Sequence, residues 1–407
     1  MAHVVETLRE PEAVIACHAL AIYGDPPILS SAPYEDAGIV REAADEVAEI
    51  VRSGRTCYWG GGPKARELEA SFARLTHRKH AFFHSSGSSA LITAVFATGA
   101  GPGRPVVIGS SGFVAAINAV YHNRARPIFL ATDERTLQAT HLGSVEFGSE
   151  QPAALLLTHF LGNVVDVPTI ASNVAASYVI EDGGQAHGAT LDGVPVGSMS
   201  DIGSFAGSHK KLVTAGQGGI NVCDASDLLA RMRMVGHHGK SARGVGEVPG
   251  YNFRGGEMEA VLALYAMREL ADRVAARNAT AEAIQDVLDG AGIVTATPIS
   301  GRAKPAWFDV AIVLPQEWGP HRDWLVTALN AENIPVASYP SLIEMPWLKP
   351  WMQSEGWWTD FEEDLQRSEK ELWGRVIVIG TQMSPEDGRR CGRGIVDVLT
   401  GARGATK

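Results

Sequence analysis

The sequence predicts an α/β protein with a mainly parallel sheet flanked by helices, followed by a smaller α+β domain. Short apolar runs bounded by Gly, Pro or Asp recur between residues 105 and 223, and helical stretches separate several of them. Alternating strands and helices are typical of a parallel sheet covered on both faces. Eight of the nine tryptophans lie between Trp307 and Trp373, which indicates that the last part of the chain is built differently.

Two amphipathic helices are predicted before the first strand. From Asp36 to Ser53 the apolar residues share one face, and Gly54 follows as a stop signal. A second helix is predicted from near Glu67 to about Leu75. The strands that follow are predicted at five apolar runs: Pro105–Ile108, Pro127–Ala131, Ala153–His159, Tyr178–Glu181 and Ile220–Cys223.

A long helical pattern begins at Glu257 and ends at Gly290, and we interpret it as the helix that leaves the first domain. The predicted division is therefore a large domain over residues 1–290, which includes the N-terminal segment, and a small C-terminal domain over residues 291–407. Ligands of open parallel sheets bind beyond the carboxyl ends of the strands, so residues that follow the strands are the first candidates for a site.

Composition excludes several classes of function. The 407 residues carry a net charge of −11, which disfavours a protein that binds nucleic acid through its surface field. No run of about 18 uncharged apolar residues predicts a membrane span, and the four cysteines have no metal-ligand spacing. We expect reduced thiols in a cytoplasmic protein without a metal site. The 44 glycines, about 11% against a usual ~7%, indicate that backbone approaches a ligand closely.

Three segments carry the chemistry. The first, His84–Leu91, places Ser86, Gly87 and Ser88 at the start of a predicted helix. Backbone N–H groups and the dipole at a helix start attract anions, so a phosphate is the natural ligand. A serine that only caps the helix is the structural alternative.

The other two segments supply an acid and an amine. Asp182 ends a predicted buried strand and is followed by a thin, glycine-containing loop, where a carboxylate can hold a cationic ring nitrogen or merely cap a helix. Lys210 and Lys211 lie among small residues between two strands; a lysine in a dry site loses its proton readily and forms Schiff bases, whereas solvated lysines do not. A phosphate cradle, an acid after a strand and a lysine together predict pyridoxal 5′-phosphate as cofactor.

An ordered series of sequence segments over about residues 35–290 resembles the DegT/DnrJ/EryC1/StrS family of sugar and cyclitol aminotransferases. The segments are Glu67-Leu-Glu69, Ser86–Leu91, Phe113–Val120, Glu181–Gly188, Lys211 with Gly216-Gln217-Gly218-Gly219, and Gly250-Tyr251-Asn252-Phe253-Arg254. The resemblance implies pyridoxal-phosphate-dependent transferase fold type I, the aspartate aminotransferase type.

The resemblance also implies residue roles. Lys211, rather than Lys210, matches the lysine that forms the Schiff base, and Asp182 matches the partner of the pyridine nitrogen. Gly87 and Ser88 match the phosphate cradle, and the roles of three more residues follow: Gln185 near the cofactor hydroxyl, Phe113 stacked on the ring, and Asn252 reaching the phosphate of the other subunit. A homodimer with shared active sites is therefore expected.

One position departs from the family pattern. A serine that touches the phosphate usually stands five residues before the lysine, and Ala206 occupies that position here. Ser208 or Ser204 is expected to replace it, and the sequence does not distinguish the two. Ser208 is included among the expected cofactor-binding residues.

The expected activity is transfer of an amino group from glutamate or glutamine to a keto-sugar or cyclitol ketone, in an antibiotic or polysaccharide pathway. Four residues are expected to contact the acceptor: Tyr58, Trp59, His187 and Tyr339. The alternative is a dehydratase or lyase that uses the same cofactor. Such relatives carry histidine where Lys211 stands, although His209 keeps the alternative open. A non-enzymatic role fits poorly with an intact lysine, aspartate and phosphate cradle.

Overall fold

The computed structural model describes residues 11–15, 20–33, 41–140, 150–241 and 243–401. Its strands are β1 (His80–His84), β2 (Val106–Gly109), β3 (Pro127–Leu130), β4 (Ala154–Thr158), β5 (Tyr178–Asp182), β6 (Thr190–Leu191), β7 (Val194–Pro195), β8 (Ile202–Ala206), β9 (Gly219–Cys223), β10 (Ala303–Lys304), β11 (Asp309–Val313), β12 (Val336–Ala337) and β13 (Val376–Gly380). All five predicted strands are therefore confirmed, as β2, β3, β4, β5 and β9.

The helices alternate with these strands over most of the chain. They are α1 (Pro11–Ile15), α2 (Ala44–Ser53), α3 (Pro63–Leu75), α4 (Gly87–Ala97), α5 (Val114–His122), α6 (Val167–Asn173), α7 (Ser226–Gly236), α8 (Glu257–Arg268), α9 (Leu270–Gly290), α10 (Arg322–Ala331), α11 (Leu348–Ser354), α12 (Asp360–Trp373) and α13 (Pro385–Leu399). None of the helices in the described ranges is long and apolar enough to cross a membrane.

A seven-stranded sheet forms the centre, in the order β1-β9-β8-β5-β4-β2-β3. The pairs from β8 to β3 are parallel, and β9 runs antiparallel to both of its neighbours. Helices cover both faces: Leu91, Met232 and Ile108 belong to one buried cluster, and Phe72 and Val222 belong to another. The prediction of a mainly parallel α/β sheet is confirmed.

Two helix boundaries differ from the sequence predictions. Helix α3 begins at Pro63, four residues before the predicted start near Glu67, because the buried Glu257 carboxylate accepts hydrogen bonds from the Lys64 and Ala65 N–H groups, each at 3.0 Å. A cap from a residue so distant in sequence leaves no local signal. The Asp36–Ser53 helix is described only from residue 41; α2 ends at Ser53 as predicted, and residues 34–40 lie outside the described residues.

The pattern from Glu257 to Gly290 forms two helices rather than one. Glu269 interrupts it between α8 and α9. The interruption lets α8 pack beside α3 on the central sheet while α9 packs along α13. Hydrophobic periodicity continues through the break because both helices bury apolar faces.

A second, antiparallel sheet has the order β11-β13-β12. Its core includes Trp318 and Ile377, residues of α9, α10 and α13, and Leu20 and Leu29 from the N-terminal segment. The division of the chain into domains at residue 290 stays a prediction.

Candidate active site

A cavity of about 240 Å³ lies at the carboxyl ends of the strands in the central sheet, and we call it the first cavity. Seven of the eight residues that are expected to bind the cofactor line it: Gly87, Ser88, Phe113, Asp182, Gln185, Ser208 and Lys211. They follow or end β1, β2, β5 and β8, which all run in the same direction. Parallel packing therefore collects at one edge residues that are far apart in sequence.

The N-terminus of α4 forms one wall of the first cavity. Ser86 caps the helix: the Ser89 N–H donates to Ser86 Oγ (3.1 Å), and Ser89 Oγ accepts from the Ser86 N–H (3.0 Å). Within the described part of the chain, no hydrogen bond engages the Gly87 or Ser88 N–H groups. The cap and the anion site thus coexist, because the cap uses the N–H of Ser89 and leaves the first two to the cavity.

Gly87 faces the position where the sequence departs from the family pattern. A Cβ on Gly87 would lie 2.6 Å from Ala206 Cβ, so the backbone of α4 approaches β8 as closely as two small residues allow. Ser204, two residues earlier on the same strand, is buried and lines the first cavity, and its Oγ has no hydrogen-bond partner among the described residues. Ser204 and Ser208 both line the cavity, so each offers a hydroxyl there.

The Asp182 carboxylate is the buried acid of the first cavity, with 7% of the residue exposed. The Gly184 N–H donates to Oδ1 (3.0 Å), and Thr158 Oγ1 donates to Oδ2 (3.4 Å). Burial raises the pKa of Asp182, and the Gly184 N–H and the positive charge of Lys211 oppose that increase. A bound cation at this carboxylate would compensate the cost of burying it.

A second buried acid, Glu181, fixes the strand end behind Asp182. Glu181 accepts from His159 Nε2 (3.1 Å), from two backbone N–H groups, Gly197 and Met199, and from Ser200 Oγ. Burial favours the neutral acid, but these donors outweigh it and leave the pKa of Glu181 below its ordinary value. The two neighbouring acids therefore have different roles. Glu181 binds the segment from Gly197 to Ser200, and Asp182 lines the cavity.

Lys211 lies where the first cavity meets a second cavity of about 340 Å³. Its Nζ is 4.2 Å from the centre of the Phe308 ring. Burial lowers the pKa of Lys211 to about 8, although Asp182 and Asp309 act to raise it. The amine therefore loses its proton more readily than that of an ordinary lysine, as a nucleophilic lysine requires.

A buried arginine stabilises the turn that carries Lys211. Lys210 has a φ of 68°, which is uncommon for a residue other than glycine, and its carbonyl accepts from Arg277 Nη2 (2.7 Å). Arg277 is buried beneath the turn. Both Lys210 and Lys211 line the second cavity, but of the two only Lys211 also lines the first cavity.

The second cavity contains residues that the sequence analysis did not identify. Tyr339, an expected acceptor contact, lines it together with Phe308, Asp309, Asn330 and Gln382, and it shares Phe113, Gln185, Ser208 and Lys211 with the first cavity. Asp309 starts β11 and is buried; burial raises its pKa to about 6. The sequence signal for Asp309 is an acidic residue at the start of an apolar run. No neighbouring sequence feature relates this residue to Lys211.

His187 lies behind the cavity wall, which corrects the expectation of an acceptor contact. It is 2% exposed, and its ring packs against Phe72 and Phe205 with centroid distances of 6.1 and 5.3 Å. It lines neither the first nor the second cavity. Burial lowers the pKa of His187 to about 3, so the ring stays neutral and acts as a packing element.

Tyr58, Trp59 and Asn252 do not line either of the two cavities of their own chain. Trp59 is 60% exposed, and the cationic groups of Lys240 and Arg254 lie 4.6 and 4.7 Å from its ring centre. Arg254 also donates from Nε to Asn252 Oδ1 (3.0 Å) and from Nη1 to the Trp59 carbonyl (3.1 Å). These residues form one exposed aromatic and basic patch.

The first cavity fits a phosphorylated pyridine aldehyde. It combines two open N–H groups at a helix start, an unpartnered buried hydroxyl at Ser204, a buried carboxylate at Asp182 and an amine of lowered pKa at Lys211. A family model described as the DegT/DnrJ/EryC1/StrS aminotransferase family matches residues 38–356. The chain belongs to this family. The resemblance stated from the sequence is confirmed, and members of the family are enzymes.

Curated relatives and solved structures agree with this assignment. An L-glutamine:2-deoxy-scyllo-inosose aminotransferase of Streptomyces lividus is 27% identical over 292 residues, 67% of this chain and 69% of that protein. A UDP-4-amino-4-deoxy-L-arabinose–oxoglutarate aminotransferase of Shewanella sediminis is 30% identical over 319 residues, 73% and 81% of the two chains. The X-ray structure of an aminotransferase from Psychrobacter cryohalolentis superimposes with a TM-score of 0.78 at 25% identity, covering 91% of this chain and 99% of that one.

The family relationship decides between the two activities that the sequence left open. Curated relatives of this DegT/DnrJ/EryC1/StrS member are sugar and cyclitol aminotransferases, so aminotransfer is favoured over dehydration. The fold predicted from the resemblance is confirmed by the structural neighbours, and the family implies dependence on pyridoxal phosphate.

Proposed function

We propose that this protein binds pyridoxal 5′-phosphate in the first cavity and transfers an amino group from L-glutamate or L-glutamine to a keto-sugar or cyclitol ketone. The observation that carries the proposal is that Lys211, Asp182 and the N-terminus of α4 line one cavity. A lysine, an acid and an anion site are the groups that this cofactor requires.

The phosphate end of the cofactor fits the α4 wall. The Gly87 and Ser88 N–H groups bind the phosphate, with hydroxyls from Ser204 and Ser208. Of the two hydroxyls, that of Ser204 is the stronger candidate for a phosphate contact, because it is buried and has no other hydrogen-bond partner among the described residues. Ser204 thus takes the place of the serine that Ala206 replaces.

The ring end fits the opposite wall. The Asp182 carboxylate pairs with the pyridine nitrogen and keeps it protonated, and Phe113 stacks on the ring. The Leu161 N–H donates to Gln185 Oε1 (2.7 Å), and Gln185 lines the cavity. Its amide N–H groups would donate to the cofactor hydroxyl.

The chemistry is divided between cofactor and chain. The cofactor, when bound, withdraws electrons from the bonds at the substrate carbon that bears the amino group. Lys211 would hold the cofactor through its amine and, with the donor in the site, would move a proton at that carbon. Its lowered pKa suits a group that accepts and returns protons near neutral pH.

Half-reactions test this proposal. Protein loaded with pyridoxal phosphate should lose its yellow colour when L-glutamine or L-glutamate is added alone, with one keto acid released per site. A keto-sugar or cyclitol ketone should then restore the colour and appear as an amine. A loaded protein that keeps its colour with every amino acid would contradict the proposal and favour the lyase alternative.

We also propose that the protein acts as a homodimer in which Asn252 of one subunit reaches the phosphate bound by the other. The position of Asn252 and Trp59 in an exposed patch outside their own cavities supports this arrangement. Mixing inactive Lys211→Ala protein with Asn252→Ala protein, after reversible dissociation, should restore activity above that of either variant. Each hybrid would contain one site with both residues intact. Absence of restoration, with hybrids demonstrated by mass spectrometry, would show that Asn252 serves its own chain or no site.

A further inference from the structure

The second cavity contains a carboxylate for which the cofactor chemistry has no use. Asp309 is 6% exposed, starts β11 and lines the second cavity beside Lys211. It lies on the sheet β11-β13-β12, whereas the segments that form the first cavity end or follow strands of the central sheet. A buried carboxylate is costly unless donors satisfy it, so its surroundings indicate what it binds.

The protein itself satisfies Asp309 poorly. Among the described residues, the side chain has one hydrogen bond, a long one of 3.4 Å from the Tyr339 hydroxyl to Oδ2. Lys211 and Arg277 act on it through their charges, but neither forms an ion pair with it within 4 Å in that part of the chain. Burial raises the pKa of Asp309 to about 6, against the opposing charges of Lys211 and Arg277, so the group is ionised at neutral pH.

The second cavity leaves room for a ligand next to this carboxylate, and Gly380 of the neighbouring strand β13 also lines it. Gly380 pairs with Asp309 across the sheet, and a Cβ on Gly380 would lie 2.7 Å from Gln382 Oε1 and 3.7 Å from Asp309 Oδ1. The side chains of Asn330 and Gln382 line the same cavity. Hydrogen-bonding groups therefore converge on a space that joins the reacting end of Lys211.

An ionised carboxylate only accepts hydrogen bonds, so its ligand must present donors. Hydroxyl groups of a sugar or cyclitol ring satisfy this requirement, and a carboxylate on the ligand does not. Two oxygens with about four lone-pair positions suit two adjacent hydroxyls.

We propose that Asp309, with Tyr339, is the pair that determines acceptor specificity by binding hydroxyl groups of a polyhydroxylated ketone in the second cavity. This inference rests on the proposed aminotransferase function and assigns the acceptor end of that site. A ketone bearing a carboxylate at this end is excluded by charge repulsion. The competing explanation is that Asp309 acts only on Lys211, because its charge also raises the pKa of that lysine.

The two half-reactions separate these explanations, since both use Lys211 and only one uses the acceptor. Asp309→Asn keeps the size of the side chain and removes its charge. Each half-reaction is followed by the absorbance of the cofactor. The rates of the variant and the original protein are compared at the pH plateau of each, so that a shift in the pKa of Lys211 does not affect the comparison. The acceptors are 2-deoxy-scyllo-inosose and UDP-N-acetyl-3-dehydro-α-D-glucosamine, which are named in the activities of relatives.

We expect the L-glutamine or L-glutamate half-reaction to change by less than about threefold, and the acceptor concentration for half-maximal rate to rise about 10- to 100-fold, as for loss of a hydrogen bond to a charged group. Tyr339→Phe should shift the same parameter less. Calorimetric binding of the ketone to the pyridoxal-phosphate form, with which it does not react, should weaken by the same factor. Asp323→Asn, an exposed carboxylate of α10, is the matched control and should change nothing.

Two results overturn the inference. Equal slowing of both half-reactions, with unchanged ketone binding, would make Asp309 a positioning residue for Lys211. The second result is that neither ketone accepts an amino group, although the donor half-reaction runs and is reversed by the corresponding keto acid. It would show that the second cavity does not select polyhydroxylated ketones. The proposed aminotransferase activity would still stand. Unchanged thermal unfolding of the Asp309→Asn protein ensures that either result reports on the site.

Discussion

The two cavities that meet at Lys211 are built in different ways. The first takes its lining from segments that end or follow strands of the central sheet, and Gly87 and Ala206 bring two of those segments into contact. The second adds residues of the C-terminal sheet and its neighbouring loops, including Asp309 and Tyr339. The first cavity supplies fixed donors and acceptors for one cofactor, whereas the second supplies a loosely satisfied carboxylate that suits a variable substrate.

Lys211 joins the two cavities, so removing its amine should have the largest effect. We expect Lys211→Ala to lower amino transfer by about 10³-fold or more, because both the covalent link and the proton transfer depend on it. Lys210→Ala is the matched control and should retain the link to the cofactor. Loss of the link in Lys210→Ala instead would place the reactive amine one residue earlier. The absorbance of the loaded variants and their single-turnover rates are the measurements.

Enlarging Gly87 tests whether close packing holds the first cavity together. The added Cβ of Gly87→Ala meets Ala206 Cβ at 2.6 Å, so α4 must shift away from β8. We expect a loss of about 1–3 kcal/mol in the free energy of unfolding and weaker cofactor binding. Both are measured by denaturant titration and by cofactor dissociation.

The double variant with Ala206→Gly supplies the control for this prediction, because it removes the methyl group that the new Cβ meets. Recovery of stability and affinity would support the contact. A Gly87→Ala protein that binds the cofactor as tightly as the original would show that the α4 wall tolerates movement.

The pH dependence of cofactor linkage probes the charges that surround Lys211 from both cavities. Only the neutral amine attacks, so with a pKa of about 8 the linkage rate of the cofactor-free protein should rise up to about pH 8 and level off above it. An ordinary lysine, with a pKa of about 10.4, would keep gaining to higher pH. The facing charges are Asp182, Asp309 and Arg277.

Asp309→Asn should move this midpoint to lower pH by less than about one unit, since the carboxylate favours the charged amine. It is the smallest of the expected effects. Stopped-flow absorbance over pH 6 to 10, an approximate range chosen to bracket both pKa values, measures it. A midpoint that stays fixed in Asp309→Asn would mean that the Asp309 charge does not act on the Lys211 amine.

The first cavity could be predicted from sequence because each of its groups belongs to a short local pattern. Ser86–Ser88 at a helix start, Asp182 at a strand end and Lys211 before a glycine cluster carry their chemistry in their neighbours. Strand runs were equally local, since buried parallel strands are continuous apolar segments. The break at Glu269 and the early start of α3 were missed because packing and a distant cap determine them.

The second cavity was largely hidden. The proposed role of Asp309 depends on Lys211 and Tyr339. Both lie far from it in sequence, and only the fold brings them into the same cavity. His187 was wrongly expected to contact the acceptor because its place beside the Asp182 loop does not reveal which way its ring packs. Direction of a side chain within a loop depends on tertiary contacts that a local pattern does not encode.

The most direct test is to locate the covalent link between the chain and its cofactor. The protein is incubated with pyridoxal phosphate, reduced with borohydride, digested and analysed by peptide mass spectrometry. We expect the reduced cofactor on Lys211 and none on Lys210. Modification of Lys210 or of another lysine, or of none, would contradict the assignment of Lys211 as the reactive amine at which the two cavities meet.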